Sequence, residues 1–86
     1  MYYVYVLKSQ KPDFIYIGST PDLDRKLREH NNKAVESTKC HVPLKLIYYE
    51  AFLDKRDALN REKKLKYHGS VMGHLKNRII NSLSNR

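Results

Sequence analysis

Apolar and polar positions follow two different periods along this chain, and the switches between them mark its elements. Residues 2–7, YYVYVL, are aromatic and β-branched and read as a first strand, with Tyr3 and Tyr5 on one face and Tyr2 on the other. Residues 8–13, KSQKPD, supply turn residues, and FIYIGS at 14–19 reads as a second strand. So short a connection predicts an antiparallel hairpin. Thr20 before Pro21 predicts a helix start with the Thr20 hydroxyl at the N-cap, and Asp22 and Asp24 suit the positive end of its dipole. That helix runs to about Asn31, and the polar segment 31–43 follows as a surface loop. LKLIYYEAF at 44–52 is a third strand. The next helix opens with Asp54 as cap and stops at Gly69. Val71, Leu75, Ile79 and Leu83 recur at four-residue steps and predict a final helix, weakened at its start by Gly73. The order β-β-α-β-α-α predicts an α+β fold, a small three-stranded antiparallel sheet packed by helices.

Composition adds a polarity to this pattern. At 86 residues the chain reads as one domain, with a basic helical tail at about 70–86 and no repeat or linker. The net charge of +8 is unevenly spread. Residues 1–54 carry eight Lys/Arg against seven Asp/Glu, whereas residues 55–86 carry nine against two. A basic C-terminal third points to a polyanion, most often nucleic acid, or else to a plain solvated helix face. A membrane surface fits less well, because that region lacks a wide apolar face with Trp or Phe. The single cysteine, Cys40, allows no internal disulfide, and the four histidines show no zinc-site spacing. A reducing, cytoplasmic compartment is therefore expected. The opening MYYVYVL lacks a basic lead and alternates like a strand, so neither a signal peptide nor a membrane span is expected.

Helical phase then separates ordinary charges from unusual ones. On the first helix Leu23 and Leu27 face the sheet, Lys26 and His30 fall at the edges of that face, and Arg25 and Arg28 point to solvent. Lys26 can snorkel and His30 can be a packed, hydrogen-bonded histidine. On the second helix Ala58, Leu59 and Leu65 define the apolar stripe, and Glu62 falls inside it. An inward carboxylate needs a partner, either a structural ion pair with Lys26 or Arg61 or a hard metal ion. Most of the seven tyrosines read as sheet-packing residues, but Tyr16 leads directly into Gly18, where a missing side chain lets another group approach the backbone.

Taken together, YVYVL at residues 3–7, YIG at 16–18, DLDRKLREHN at 22–31, LIYYE at 46–50 and ALNREKKLK at 58–66 resemble the GIY-YIG nuclease family. The likeness is to its small, single-domain, excinuclease-like members. It covers residues 2–67, and LKNR at 75–78 resembles a tail seen in a subset of them. The resemblance implies a metal-dependent endonuclease that hydrolyses DNA phosphodiester bonds, in DNA repair or processing. Tyr16 would orient or deprotonate the attacking water, with Tyr5 supporting it. Glu62 would be the sole protein ligand of one divalent cation, Mg²⁺ or Mn²⁺, and His30 would reach the same phosphate. The family's essential arginine falls on Lys26, which supplies charge as a point donor rather than a bidentate fork. Tyr3 replaces the first glycine of the signature.

The expected DNA contacts are Gly18, Arg25, Lys39, Arg61, Lys63, Lys66, Lys76 and Arg78. No small-molecule cofactor is implied, and a monomer or weak dimer is expected. The chemistry is coherent, since a phosphodiester's own charge repels nucleophiles and hydrolysis needs positive charge at the scissile phosphate. A tyrosine, with a reference pKa of about 10, needs nearby cations to act as a base at neutral pH. The competing reading is a non-catalytic nucleic-acid-binding module with a degenerate site.

Overall fold

The structure, a computed structural model, describes residues 1–10 and 14–84. Residues 11–13 of the predicted hairpin turn, and the last two of the predicted tail, lie outside the described residues. The first strand, β1 (Tyr2–Ser9), is flanked by β2 (Ile15–Thr20) and β3 (Leu44–Phe52), both antiparallel to it. Val4, Tyr5, Val6 and Leu7 of β1 are all buried, which requires a covering layer on each face of the sheet. Helix α1 (Leu23–Asn31) covers one face, where Leu23 and Leu27 pack with Tyr5, Leu7 and Leu44. Helices α2 (Lys55–Tyr67) and α3 (Gly69–Arg78) cover the other, where Val4 and Val6 meet Ala58, Leu65, Leu75 and Ile79. A short α4 (Ile80–Ser84) brings Leu83 onto the same core. Among the described residues, no helix is long and apolar enough to cross a membrane.

One irregularity adjusts the sheet. Val6 opposes Tyr48 but Leu7 opposes Leu46, so Ile47 is an extra residue in β3. The bulge lets neighbouring Ile47 and Tyr48 pack on the α2 face while Leu46 returns to the α1 face.

Four local expectations are corrected. Thr20 does not cap α1, because it is still paired with Tyr3 in the sheet. Its hydroxyl accepts from the Asp22 N–H at 3.1 Å, and Asp22 takes the cap, accepting from the Arg25 N–H at 3.1 Å. A carboxylate is the better acceptor at the positive end of the dipole. Gly69 does not stop α2. An extended His68 (φ −120°, ψ 97°) does, and Gly69 opens α3. The predicted last helix is broken at Ile79, which sits in the core. Its four-residue stripe survives because Leu83 N–H still bonds the Ile79 carbonyl at 2.9 Å and Lys8 donates to the Leu83 carbonyl. Leu59 is 41% exposed. The inward stripe of α2 is instead Ala58, Glu62 and Leu65, at i, i+4 and i+7.

Candidate active site

The strand register places Tyr5 directly opposite Gly18. A Cβ on Gly18 would fall 2.4 Å from the Tyr5 Oη and 2.6 Å from its Cζ, so the glycine is what lets the ring lean across β2. The hydroxyl then lies 2.9 Å from His30 Nε2, at the end of α1. His30 is fully buried, and its Nδ1 lies 2.7 Å from the Thr38 hydroxyl. Thr38 is also fully buried, so the predicted surface loop has an inward anchor. A neutral imidazole donates through one ring nitrogen and accepts through the other, so Tyr5 and Thr38 take opposite roles at the two ends of the ring.

Electrostatics support that chain. Burial pushes the His30 pKa down, the Lys26 charge adds to this, and Glu29 partly offsets it. Burial pushes Tyr5 up, and electrostatic repulsion from Tyr16, Glu62 and Glu29 adds to this. Tyr5 thus remains a phenol and His30 a neutral imidazole. Asn31, next in α1, fixes the helix end. Its amide donates to the Leu44 carbonyl at 3.0 Å and accepts from the Leu44 N–H at 2.7 Å, as a strand neighbour would.

The rest of the site wraps around the sheet edge. Tyr16 shares a face with Tyr5, their ring centroids 6.3 Å apart, and stands edge-on to His30 at 5.0 Å. Alternation turns Ile15, Ile17 and Ser19 to the opposite face, toward α2. There the Ser19 hydroxyl donates to Glu62 Oε1 at 2.7 Å, and Lys66 Nζ donates to Glu62 Oε2 at 2.8 Å. The same Nζ lies 5.9 Å from the Tyr16 ring centroid, at the outer limit of a cation–π contact. The hydrogen bond to Glu62 raises the Lys66 pKa against a smaller cost of burial, so the bridge carries a full positive charge. Tyr16 and Glu62, from opposite faces, therefore meet around the open edge of β2, joined by Lys66.

The other predicted residues divide clearly. Lys26 is half-buried and pairs with Glu29 at 3.3 Å, beside His30, and Arg25 pairs with the same carboxylate at 3.1 Å from an exposed position. Neither of the ion-pair partners expected for Glu62, Lys26 or Arg61, is the observed one. Arg61 instead forms a bidentate pair with Glu50, at 3.0 Å and 2.9 Å, and Tyr48 donates to Glu50 at 2.5 Å. Burial opposes the Glu50 charge, but those hydrogen bonds win and hold its carboxyl below the usual range. Arg61 is thus committed to a structural pair outside the Tyr16–Glu62 cluster. Arg78 lines a separate pocket with Arg61 and His74. Lys39 pairs with Glu36 at 3.0 Å on the loop, and Lys63 is exposed on α2. Lys76 lines a groove with Tyr16 and Lys66. Sequence reasoning missed Ser19, Thr38 and Asn31 as supports. Of these only Ser19 carried a signal, since period-2 alternation puts it on the α2 face with Ile15 and Ile17.

Comparison with known proteins identifies the family of the chain. The family model described as the GIY-YIG catalytic domain matches residues 1–73, from β1 into α3. A UPF0213 protein of Clostridium perfringens is 40% identical over 67 residues, covering 77% of this chain and 71% of its own. A UPF0213 protein of Streptococcus pneumoniae is 40% identical over 65 residues, covering 74% and 65%. One from Haloquadratum walsbyi is 33% identical over 66 residues, covering 76% and 73%. The match to the Streptococcus relative thus spans just under two thirds of that protein. No solved structure matches. With the tyrosine, the glycine beneath its neighbour and the helical glutamate set around one strand, and the family model matching from β1 into α3, the chain belongs to the GIY-YIG family of nuclease domains.

Proposed function

We infer that this chain is a metal-dependent endonuclease that hydrolyses DNA phosphodiester bonds. The observation that carries the reading is the convergence of Tyr16, Glu62 and Lys66 at the β2 edge, backed by the Tyr5–His30–Thr38 chain. Glu62 is the residue that would hold a divalent cation, Mg²⁺ or Mn²⁺. Its donor chemistry fits. Each carboxylate oxygen has accepted one hydrogen bond and keeps further lone-pair capacity. Among the described residues no three or more His, Cys, Asp or Glu side chains converge. A cation that keeps most of its waters and binds through one carboxylate and a substrate phosphate suits such a site better than zinc does. When bound, the cation supplies positive charge at the scissile phosphate.

The chain's own groups do the remaining work. Tyr16 orients the attacking water at the mouth of the site. Tyr5, kept protonated by burial, holds the His30 ring in place rather than exchanging protons. Ser19 aims the carboxylate of Glu62. Lys66 neutralises that carboxylate and places a cation by the Tyr16 ring. Lys26 adds a point charge at the His30 side, and the exposed lysines of α2 and α3 attract the DNA backbone.

Supercoiled plasmid tests the reading. With Mg²⁺ or Mn²⁺ the protein is expected to nick it, and chelator or Glu62→Gln is expected to abolish nicking with the fold intact. One observation favours a second reading. Lys26, paired to Glu29, offers no fork for two phosphate oxygens, as a non-catalytic DNA-binding module would tolerate. Retarded but uncut plasmid in the presence of metal would decide for that module.

A further inference from the structure

Beside Tyr16, the edge of β2 and the first turns of α3 border a groove of about 640 Å³ that adjoins the hydrolytic cluster. Phe14, Ile15, Ile17 and Leu65 line it with apolar surface, and the exposed Lys66 and Lys76 stand at its rim. Its α3 side carries Gly69 and Gly73, one helical turn apart. A Cβ at either glycine would meet nothing within 4 Å, and neither has a positive φ. The backbone therefore does not require glycine at these positions, and the missing side chains keep the groove wide. Its volume lies within the roughly 300–1,000 Å³ of small-ligand sites.

The geometry points to this groove as a nucleobase site, which takes one unstacked base of a DNA strand while Lys66 and Lys76 hold the phosphates on either side. The assignment rests on the nuclease reading for the nature of its ligand, and on charge and shape for the rest. An apolar cleft with a cationic rim complements a neutral, flat aromatic group tethered to anionic phosphates. Phe14 and Tyr16 offer rings for stacking, and Phe14 is backed by His41, with centroids 3.6 Å apart and planes at 2°. A base inside a continuous duplex presents only its edge and must leave the stack to enter a concavity. The groove shares Tyr16 and Lys66 with the hydrolytic cluster, so a seated base holds its own phosphate next to Glu62. The basic α2–α3 surface then supplies affinity without regard to strand state, and the groove supplies preference for strands with an unpaired base.

The test uses the full chain in chelator, so that nothing is cut. Fluorescence anisotropy compares a labelled single-stranded oligodeoxynucleotide with the same strand in a perfect duplex, for wild type, Gly69→Leu and Gly73→Leu. Both leucines fill open space, and circular dichroism and melting check the fold. The single strand is expected to lose about tenfold in affinity, the scale of one lost base–aromatic contact, while duplex affinity stays unchanged. Wild type is also expected to change the emission of a 2-aminopurine placed in the strand, and the leucine variants are not. The assignment is overturned if wild type leaves that emission unchanged. It is equally overturned if folded variants keep wild-type single-strand affinity or weaken on both DNAs alike. A chain that seats the base but never nicks plasmid with metal defeats the nuclease reading alone. One that nicks plasmid and binds unchanged with leucine in the groove defeats the groove alone.

Discussion

At Gly18 a single hydrogen in place of a side chain decides whether Tyr5 reaches His30. A methyl there would sit 2.4 Å from the Tyr5 hydroxyl, which cannot swing aside without breaking its 2.9 Å bond to His30. Gly18→Ala is therefore expected to cost about 1–3 kcal/mol, the scale of overpacking, and to lower nicking more than Ser19→Ala does. Urea denaturation and plasmid cleavage read the two effects. Lys26 offers a prediction of opposite sign. Its ammonium carries the right charge without a planar fork, so Lys26→Arg is expected to raise the nicking rate several-fold at constant stability. A lower rate on an intact fold would mean that the site is tuned to lysine.

Between elements, side chains act as splints. The Asn31 amide pairs with both backbone groups of Leu44, tying the end of α1, and so His30, to the start of β3. Asn31→Asp removes the donor and sets a carboxylate against the Leu44 carbonyl. Stability is expected to fall by about 1–3 kcal/mol, with activity falling alongside it, as thermal melts and cleavage would show. Elements whose signals are local are legible in the sequence. The third strand reads to the residue from its β-branched and aromatic run, and Asp54 caps α2 by accepting from Arg56 N–H at 2.8 Å. Illegible features depend on distant partners. Thr38 reads as any polar loop residue until His30, eight positions away, draws it inside. The bidentate pair of Arg61 with Glu50 carries no local signal, because β3 supplies the carboxylate from eleven positions away. Tyr16, His30 and Glu62 stand out because polar groups on apolar faces conflict with their local pattern.

For the whole molecule, the buried imidazole links stability to pH. His30 titrates near 6.5 in the unfolded chain and lower in the folded one. Above that value both states hold it neutral. As pH falls through about 6.5, the unfolded chain takes up a proton that the folded one refuses, and stability is lost. The urea midpoint is expected to drop between pH 7.5 and 5.5, and His30→Gln is expected to shrink that drop. An equal drop in the variant would assign the effect to other groups.

The position of Lys66, between Glu62 and the Tyr16 ring of β2, also bears on how copies of the protein meet one another. An uncovered outer strand invites a strand from a second molecule, the first step of sheet extension into aggregates. Here an incoming strand would have to dislodge an ammonium that is bonded to Glu62 and poised over Tyr16, and would then bury it without a partner. The residue that charges the site thus also guards the margin of the sheet. Neutralising that lysine is therefore expected to leave the strand edge open to pairing.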